Sequence, residues 1–188
     1  MIEENINRIR TEGESVFNEV DTWFSVNVSL LNYDPVGGGW NIRKILEHIS
    51  LTNHFLLILI RKGTLKAIEK SATENFTSLL AGYNLDWGKL KAIGEHQSFY
   101  WNRPEHMEPT GSADLAGIQM KLRQQFTECM DYLDRLKNGE GVLYKTTMSV
   151  NGLGKIDVYH YILFLILHAK RHIEQMSKVK QAYNAGLE

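Results

Sequence analysis

The sequence predicts an all-α protein, an antiparallel four-helix bundle with a long crossover between its second and third helices. Three observations predict it. Apolar residues recur at spacings of three and four in four stretches, each of about 18 residues or more. Glycine, proline and asparagine clusters separate the stretches. Between the second and third stretch lies a segment, residues 64–111, that has no such period and is far longer than a helix–helix turn. The 188 residues are enough for one domain, residues 1–188, with a core of its own.

The first stripe runs through Ile2, Ile6, Ile9, Val16, Val20, Trp23, Asn27 and Leu31, with Gly13 in one vacancy. Asn32 to Pro35 stop it, and Gly37 to Gly39 make a corner. Asn41 is placed to cap a second helix, with Trp40 and Ile45 flanking the cap as an apolar pair. Ile42, Ile45, Ile49, Phe55 and Leu59 form its stripe, and Gly63 is the expected end, with Thr64 to Lys70 either extending or following the helix. In the unreadable segment, Leu79, Leu80, Leu85, Trp87 and Leu90 suggest short helical pieces covering an edge of the core. Residues 103–111, with Pro104, Pro109 and Gly111, read as a functional loop or lid. Ser112 is the expected cap of the third helix, with Asp114 in its first turn. Its stripe is Leu115, Ile118, Leu122, Phe126, Cys129, Leu133 and Leu136. Residues 142–150 read as an ordered loop, since no partner strand stands out. Asp157 caps the fourth helix.

Composition excludes several classes. Acidic and basic residues number 22 and 21, so no cationic surface is expected to grip nucleic acid. The longest apolar run, Tyr161 to Leu167, is too short to span a bilayer. No secretory signal is visible at the first residues, and the single cysteine fits a reducing compartment, so cytoplasm is the expected location. Cys129 falls on a buried stripe and reads as a core residue. Trp23, Phe24, Val26 and Val28 spread apolar surface around the end of the first helix, which motivates a homodimer.

The chemistry-bearing feature is His168 and His172 in the fourth helix. Four residues apart, they share a face one turn apart, together with Leu165, Met176 and Val179. Two imidazoles side by side in an apolar setting point to a divalent metal, although two surface histidines would show the same spacing. His48 lies between Ile45 and Thr52 on the inner face of the second helix and is the candidate third ligand. His54, roughly 120° around that helix, reads as a rim residue. His160 is about 12 Å along the axis from His168, too far to share a metal. Tyr159, His160 and Tyr161 therefore read as packing or cap residues, and His96 and His106 as remote lid candidates.

The stretch Trp40-Asn-Ile-Arg-Lys-Ile-Leu-Glu-His48-Ile resembles the first signature of the DinB-like superfamily, a tryptophan followed by a helix whose histidine binds metal. Leu153-Gly154-Lys-Ile-Asp-Val, followed by His168-Ala-Lys-Arg171-His172-Ile-Glu-Gln175-Met, resembles the second, an HxxRHxxQ helix about 120 residues on. The resemblance spans most of the chain but not residues 64–111. It implies a four-helix bundle holding one divalent metal on His48, His168 and His172. It also places the chain near bacillithiol transferases and related low-molecular-weight-thiol enzymes.

Three neutral imidazoles leave a position open on a tetrahedral ion, the arrangement of a catalytic site. Zinc or nickel is expected, with iron and manganese as further choices. The site is not that of an HExxH protease, because Ala169 stands where the base would be. Glu47 and Glu174 point away from the histidine faces, so no protein base is evident. That favours a nucleophile supplied by a thiol cosubstrate and activated by the metal. Gln175 is placed to hydrogen-bond a ligand imidazole, and Arg171 to sit at the rim; both are candidate cofactor-binding residues. The expected function is transfer of a low-molecular-weight thiol onto a small electrophile. The alternatives are a metal-dependent hydrolase, or a non-enzymatic stress-related bundle whose pocket is filled by residues 64–111. The expected partner is a small molecule, not nucleic acid or a membrane.

Overall fold

The computed structural model describes residues 2–101 and 104–186 and is mostly helical. Four long helices dominate: α1 (Ile2–Thr22), α3 (Ile42–Ser71), α6 (Leu115–Arg135) and α7 (Val158–Ala185). Three short helices join them: α2 (Val28–Leu31), α4 (Thr77–Ala81) and α5 (Trp87–Lys91). α3 packs against both α6 and α7, and α1 packs against the same two. Their facing stripes make one core that includes Ile9, Ile45, Ile49, Leu133, Phe164 and Met176. Among the described residues no helix is long and apolar enough to cross a membrane.

Several helix ends follow their side chains. Asn41 accepts the Lys44 N–H, and Asp157 accepts the His160 N–H, both as the sequence implies. The third long helix is capped by Asp114, which accepts from Gly117, and not by Ser112; Ser112 instead donates its N–H to Thr110. The first stripe is not one helix. It breaks after Thr22 into a 3₁₀ turn, and Asn27 restarts it as α2 by accepting the Leu30 N–H. A cap-forming residue inside an apolar period was thus read as part of the stripe. Trp23 is buried by this turn, Phe24 and Val26 are half-buried, and Val28 stays exposed.

Gly63 does not end α3, which continues for two more turns to Ser71. Its backbone lies close under Val158 and Tyr144: a Cβ would stand 3.0 Å from the Val158 Cγ2. The glycine permits helix approach instead of termination.

Residues 145–157 are a hairpin, not a loop. β1 (Lys145–Met148) pairs antiparallel with β2 (Gly154–Asp157), in the register Lys145 to Asp157 and Met148 to Gly154. Asn151, Gly152 and Gly154 take positive φ in the turn. The second strand escaped notice because it is short and runs directly into the cap of α7. In the crossover, Leu85 and Leu90 are buried as the edge-covering pieces require. Residues 105–107 form a 3₁₀ turn inside the expected loop, whose first residue, Arg103, lies outside the described residues.

Tyr159 ties this end of the molecule together. Its hydroxyl donates to the Leu136 carbonyl and accepts the Gly141 N–H, and its ring lies against Gly141. A Cβ at residue 141 would sit 2.6 Å from the ring. Gly141→Ala is therefore expected to lower stability by about 1–3 kcal/mol through overpacking. Urea unfolding checks this, and a variant as stable as the parent would show that the contact is slack.

Candidate metal centre

α3 brings His48, and α7 brings His168 and His172, to one place in the core. All three are buried, with His168 only 2% exposed. The ring centroids of His48 lie 5.2 Å from His168 and 4.8 Å from His172, and the α7 pair are 4.5 Å apart. One nitrogen from each ring falls within 4.8 Å of the other two, a cluster that can hold a metal ion.

The outer nitrogens set the orientation of two of the rings. His48 Nδ1 is 2.8 Å from the Met107 carbonyl, so it donates there and leaves Nε2 with its lone pair facing inward. His172 Nδ1 is 2.8 Å from Gln175 Oε1 and does the same. The two inner nitrogens of His168 and His172 face each other at 3.1 Å. Either His168 carries its proton on Nε2 and donates it to His172, or a cation lies between two lone pairs. Metal–imidazole bonds of about 2.0–2.1 Å at a tetrahedral angle would set such nitrogens roughly 3.3 Å apart. The donor set, its spacing and its polarity therefore fit one divalent ion. His168 Nδ1 is buried with no partner among the described residues.

Burial, and then the neighbouring imidazoles, hold His168 and His172 well below the ordinary histidine range. Both are thus neutral near pH 7, the form that ligates metal. Cys129 is fully buried on α6, and burial pushes its thiol up, away from reactivity.

The cluster forms part of the wall of a cavity of about 510 Å³. Trp40, Phe55, Leu56, Met148 and Phe164 give it apolar sides, and Trp101 and Met107 of the crossover close over it. Trp40 lies 4.7 Å from the His48 ring and Trp101 lies 5.4 Å from the His168 ring. Of the remaining histidines, His54 is exposed, and His106 is exposed with its ring against Phe55. His160 is held by Asp157 at 2.8 Å, at the cap of α7 and apart from the cluster. His96 does reach the cavity wall, carried there by the crossover.

The residues flanking the cluster fasten the crossover. Glu47, beside His48, is buried and accepts from the Thr110 N–H, the Thr110 hydroxyl and the Gly111 N–H. Arg171, beside His172, is also buried and not at a rim. It donates to the Glu95 carbonyl and to Ser98 Oγ, and its guanidinium stands 5.2 Å from the Phe99 and Trp101 ring centres. Glu174 accepts the His96 N–H at 3.0 Å. Gln175 sits where the sequence placed it. The roles of Glu47, Trp101 and Met107 were not foreseen; a carboxylate next to an inward histidine was the available signal for Glu47.

The profile of the DinB superfamily matches residues 17–176, more than half of the chain. An uncharacterized Bacillus subtilis protein, YuaE, is 24% identical over 181 residues, covering 89% of this chain and 96% of the relative. No solved structure matches the chain significantly.

The Glu47 contacts generate a prediction. Glu47→Ala leaves two backbone N–H groups without their acceptor, and hydrogen bonds to a charged group are worth about 1.5–3 kcal/mol each. Amide exchange at Thr110 and Gly111 should rise at least tenfold in that variant, with protection in α6 retained. Unchanged exchange at both amides would show that the carboxylate does not hold the crossover.

Proposed function

Because the chain belongs to the DinB superfamily, we propose that His48, His168 and His172 bind one divalent metal. On this reading the chain is a metal-dependent transferase that moves a low-molecular-weight thiol onto a small electrophile. The observation that carries the proposal is the convergence of three buried imidazoles on the wall of a cavity with room for small molecules. Zinc or nickel suits that donor set best, with iron and manganese as further choices. The four long helices are read as one domain, an antiparallel four-helix bundle with a crossover between α3 and α6.

A bound divalent ion supplies a Lewis acid that lowers the pKa of a thiol or water beside it. The protein's own groups do the rest. Met107 and Gln175 hold the His48 and His172 rings with their lone pairs inward. Trp101, Phe164 and Leu56 keep water away from the reacting atoms and raise the local strength of electrostatic interactions. No aspartate or glutamate is among the described residues lining the cavity. A nucleophile there must lose its proton without a protein carboxylate, which a thiol does more readily than water. This favours thiol transfer over the hydrolase alternative. Trp101 and Met107 of the crossover line the cavity without filling it, which favours turnover of a ligand over a closed binding bundle. Gln175 acts through His172 as a positioning residue.

Tag-free protein grown in metal-supplemented medium is expected to carry about one divalent metal per chain. His48→Ala, His168→Ala and His172→Ala should each lose tight binding, and His54→Ala should keep it. Elemental analysis decides, and an empty protein that takes up no metal on titration removes the proposal. In cobalt-substituted protein, the correct thiol should shift and intensify the visible band, and chelation should stop its reaction with an electrophile. A panel of bacillithiol, glutathione and coenzyme A that alters neither the spectrum nor the thermal stability would end the thiol reading.

A further inference from the structure

We propose that the ligand of this cavity is an organic anion with an apolar body, and that Arg171 holds its anionic group. Apart from the three clustered imidazoles, the polar wall is sparse. Among the described lining residues, Arg171 is the only cationic side chain other than histidine, and aspartate, glutamate and lysine are absent. The rest of the wall is mostly aromatic, aliphatic or thioether.

The guanidinium is built in, not draped on the surface. Arg171 is only 7% exposed. One of its nitrogens, Nη1, serves the Glu95 carbonyl and Ser98 Oγ. No ion pair to it forms among the described residues. Glu174, three residues along, is engaged instead with Lys178 at 3.0 Å and with the His96 N–H. The remaining N–H groups of Arg171 have no protein acceptor among the described residues, yet they are not among the sealed, unpartnered polar atoms. They reach solvent, on a residue that lines the cavity. An arginine stays protonated even where burial lowers its pKa; Glu174 acts on it through its charge but makes no direct ion pair with it, and a buried charge without a direct partner is costly.

A divalent ion on the imidazoles would add two positive charges to this one, with no carboxylate in the wall to offset them. That part of the count rests on the metal reading above; the Arg171 part does not. A ligand with one anionic function at the guanidinium fork completes the charge balance there. Its hydrocarbon or aryl portion would lie along Trp101, Phe55 and Phe164, and its reactive end would face the imidazoles. A cavity of about 510 Å³ suits a small molecule of this kind. Neutral electrophiles and amines are disfavoured by the same field.

The test compares ligands of one shape and three charges. 3-Phenylpropionate and octanoate, their amides and their amines are titrated by calorimetry into chelator-treated protein and into zinc-reloaded protein. The acids are expected to bind at least tenfold more tightly than the matching amides and amines in the metal-free protein. Arg171→Gln should reduce that preference to under threefold, and Arg171→Lys should keep part of it. If Arg171→Gln fails to fold, the acid–amide–amine comparison in the parent and in Arg171→Lys decides. Equal binding of acid and amide, or no binding by either acid, overturns the proposal. A preference seen only with zinc and kept in Arg171→Gln assigns the anion to the metal and also overturns it. A metal-free protein that prefers the acids but takes up no zinc leaves this inference standing and removes the metal reading instead.

Discussion

Holding three imidazoles together inside an apolar interior is the constraint around which this molecule is arranged. A buried imidazole needs an acceptor for its N–H and something to meet its lone pair. Met107 and Gln175 meet the first need for His48 and His172. One nitrogen of each ring lies within 4.8 Å of the other two, with the Thr52 hydroxyl 3.5 Å from His48 Nε2 and His168 Nε2 3.1 Å from His172 Nε2. Burial and mutual repulsion exclude protonation of the α7 pair near pH 7. A shared divalent cation, as proposed above, would draw all three nitrogens into one shell.

The constraint extends to the crossover. His48 cannot donate to Met107 unless residues 104–111 lie across α3, and Glu47 holds them there through Thr110 and Gly111. On the other side, Arg171 and Glu174 fasten residues 95–98 to α7. Each helix that supplies a clustered histidine thus also supplies a neighbouring residue that ties down the cover of the cavity. Loosening the cover would remove the acceptor of the His48 Nδ1–H, the Met107 carbonyl.

How much of this was legible follows from which interactions are periodic. The α7 stripe, the caps at Asn41 and Asp157, and the inward set of His48, His168 and His172 are local matters of spacing, and the structure places them as the sequence implies; in the α3 stripe Ile42, Ile45 and Ile49 are buried, but Phe55 is half-buried and Leu59 exposed at the cavity wall. Spacing misled where one residue type serves two purposes. Gly63 looked like a stop but admits Val158 and Tyr144, and Asn27 looked like part of a stripe but caps α2. The hairpin at residues 145–157 was hidden by strands of four residues, too short for a period-two signal to stand out. Trp101 and Met107 reach the site from a segment held by side chain–backbone contacts more than 50 residues apart in sequence, as in His48 to Met107. No local pattern encodes such contacts.

The central claim is that these three imidazoles together ligate one ion. X-ray absorption at the metal edge of the zinc-loaded protein addresses it most directly, because multiple scattering counts imidazole rings. The account predicts three imidazole nitrogens at about 2.0–2.1 Å, with the remaining position filled by a light atom from solvent. In His48→Ala one ring should disappear from the count. A coordination shell with one imidazole or none, or a count of three that survives His48→Ala, would contradict it.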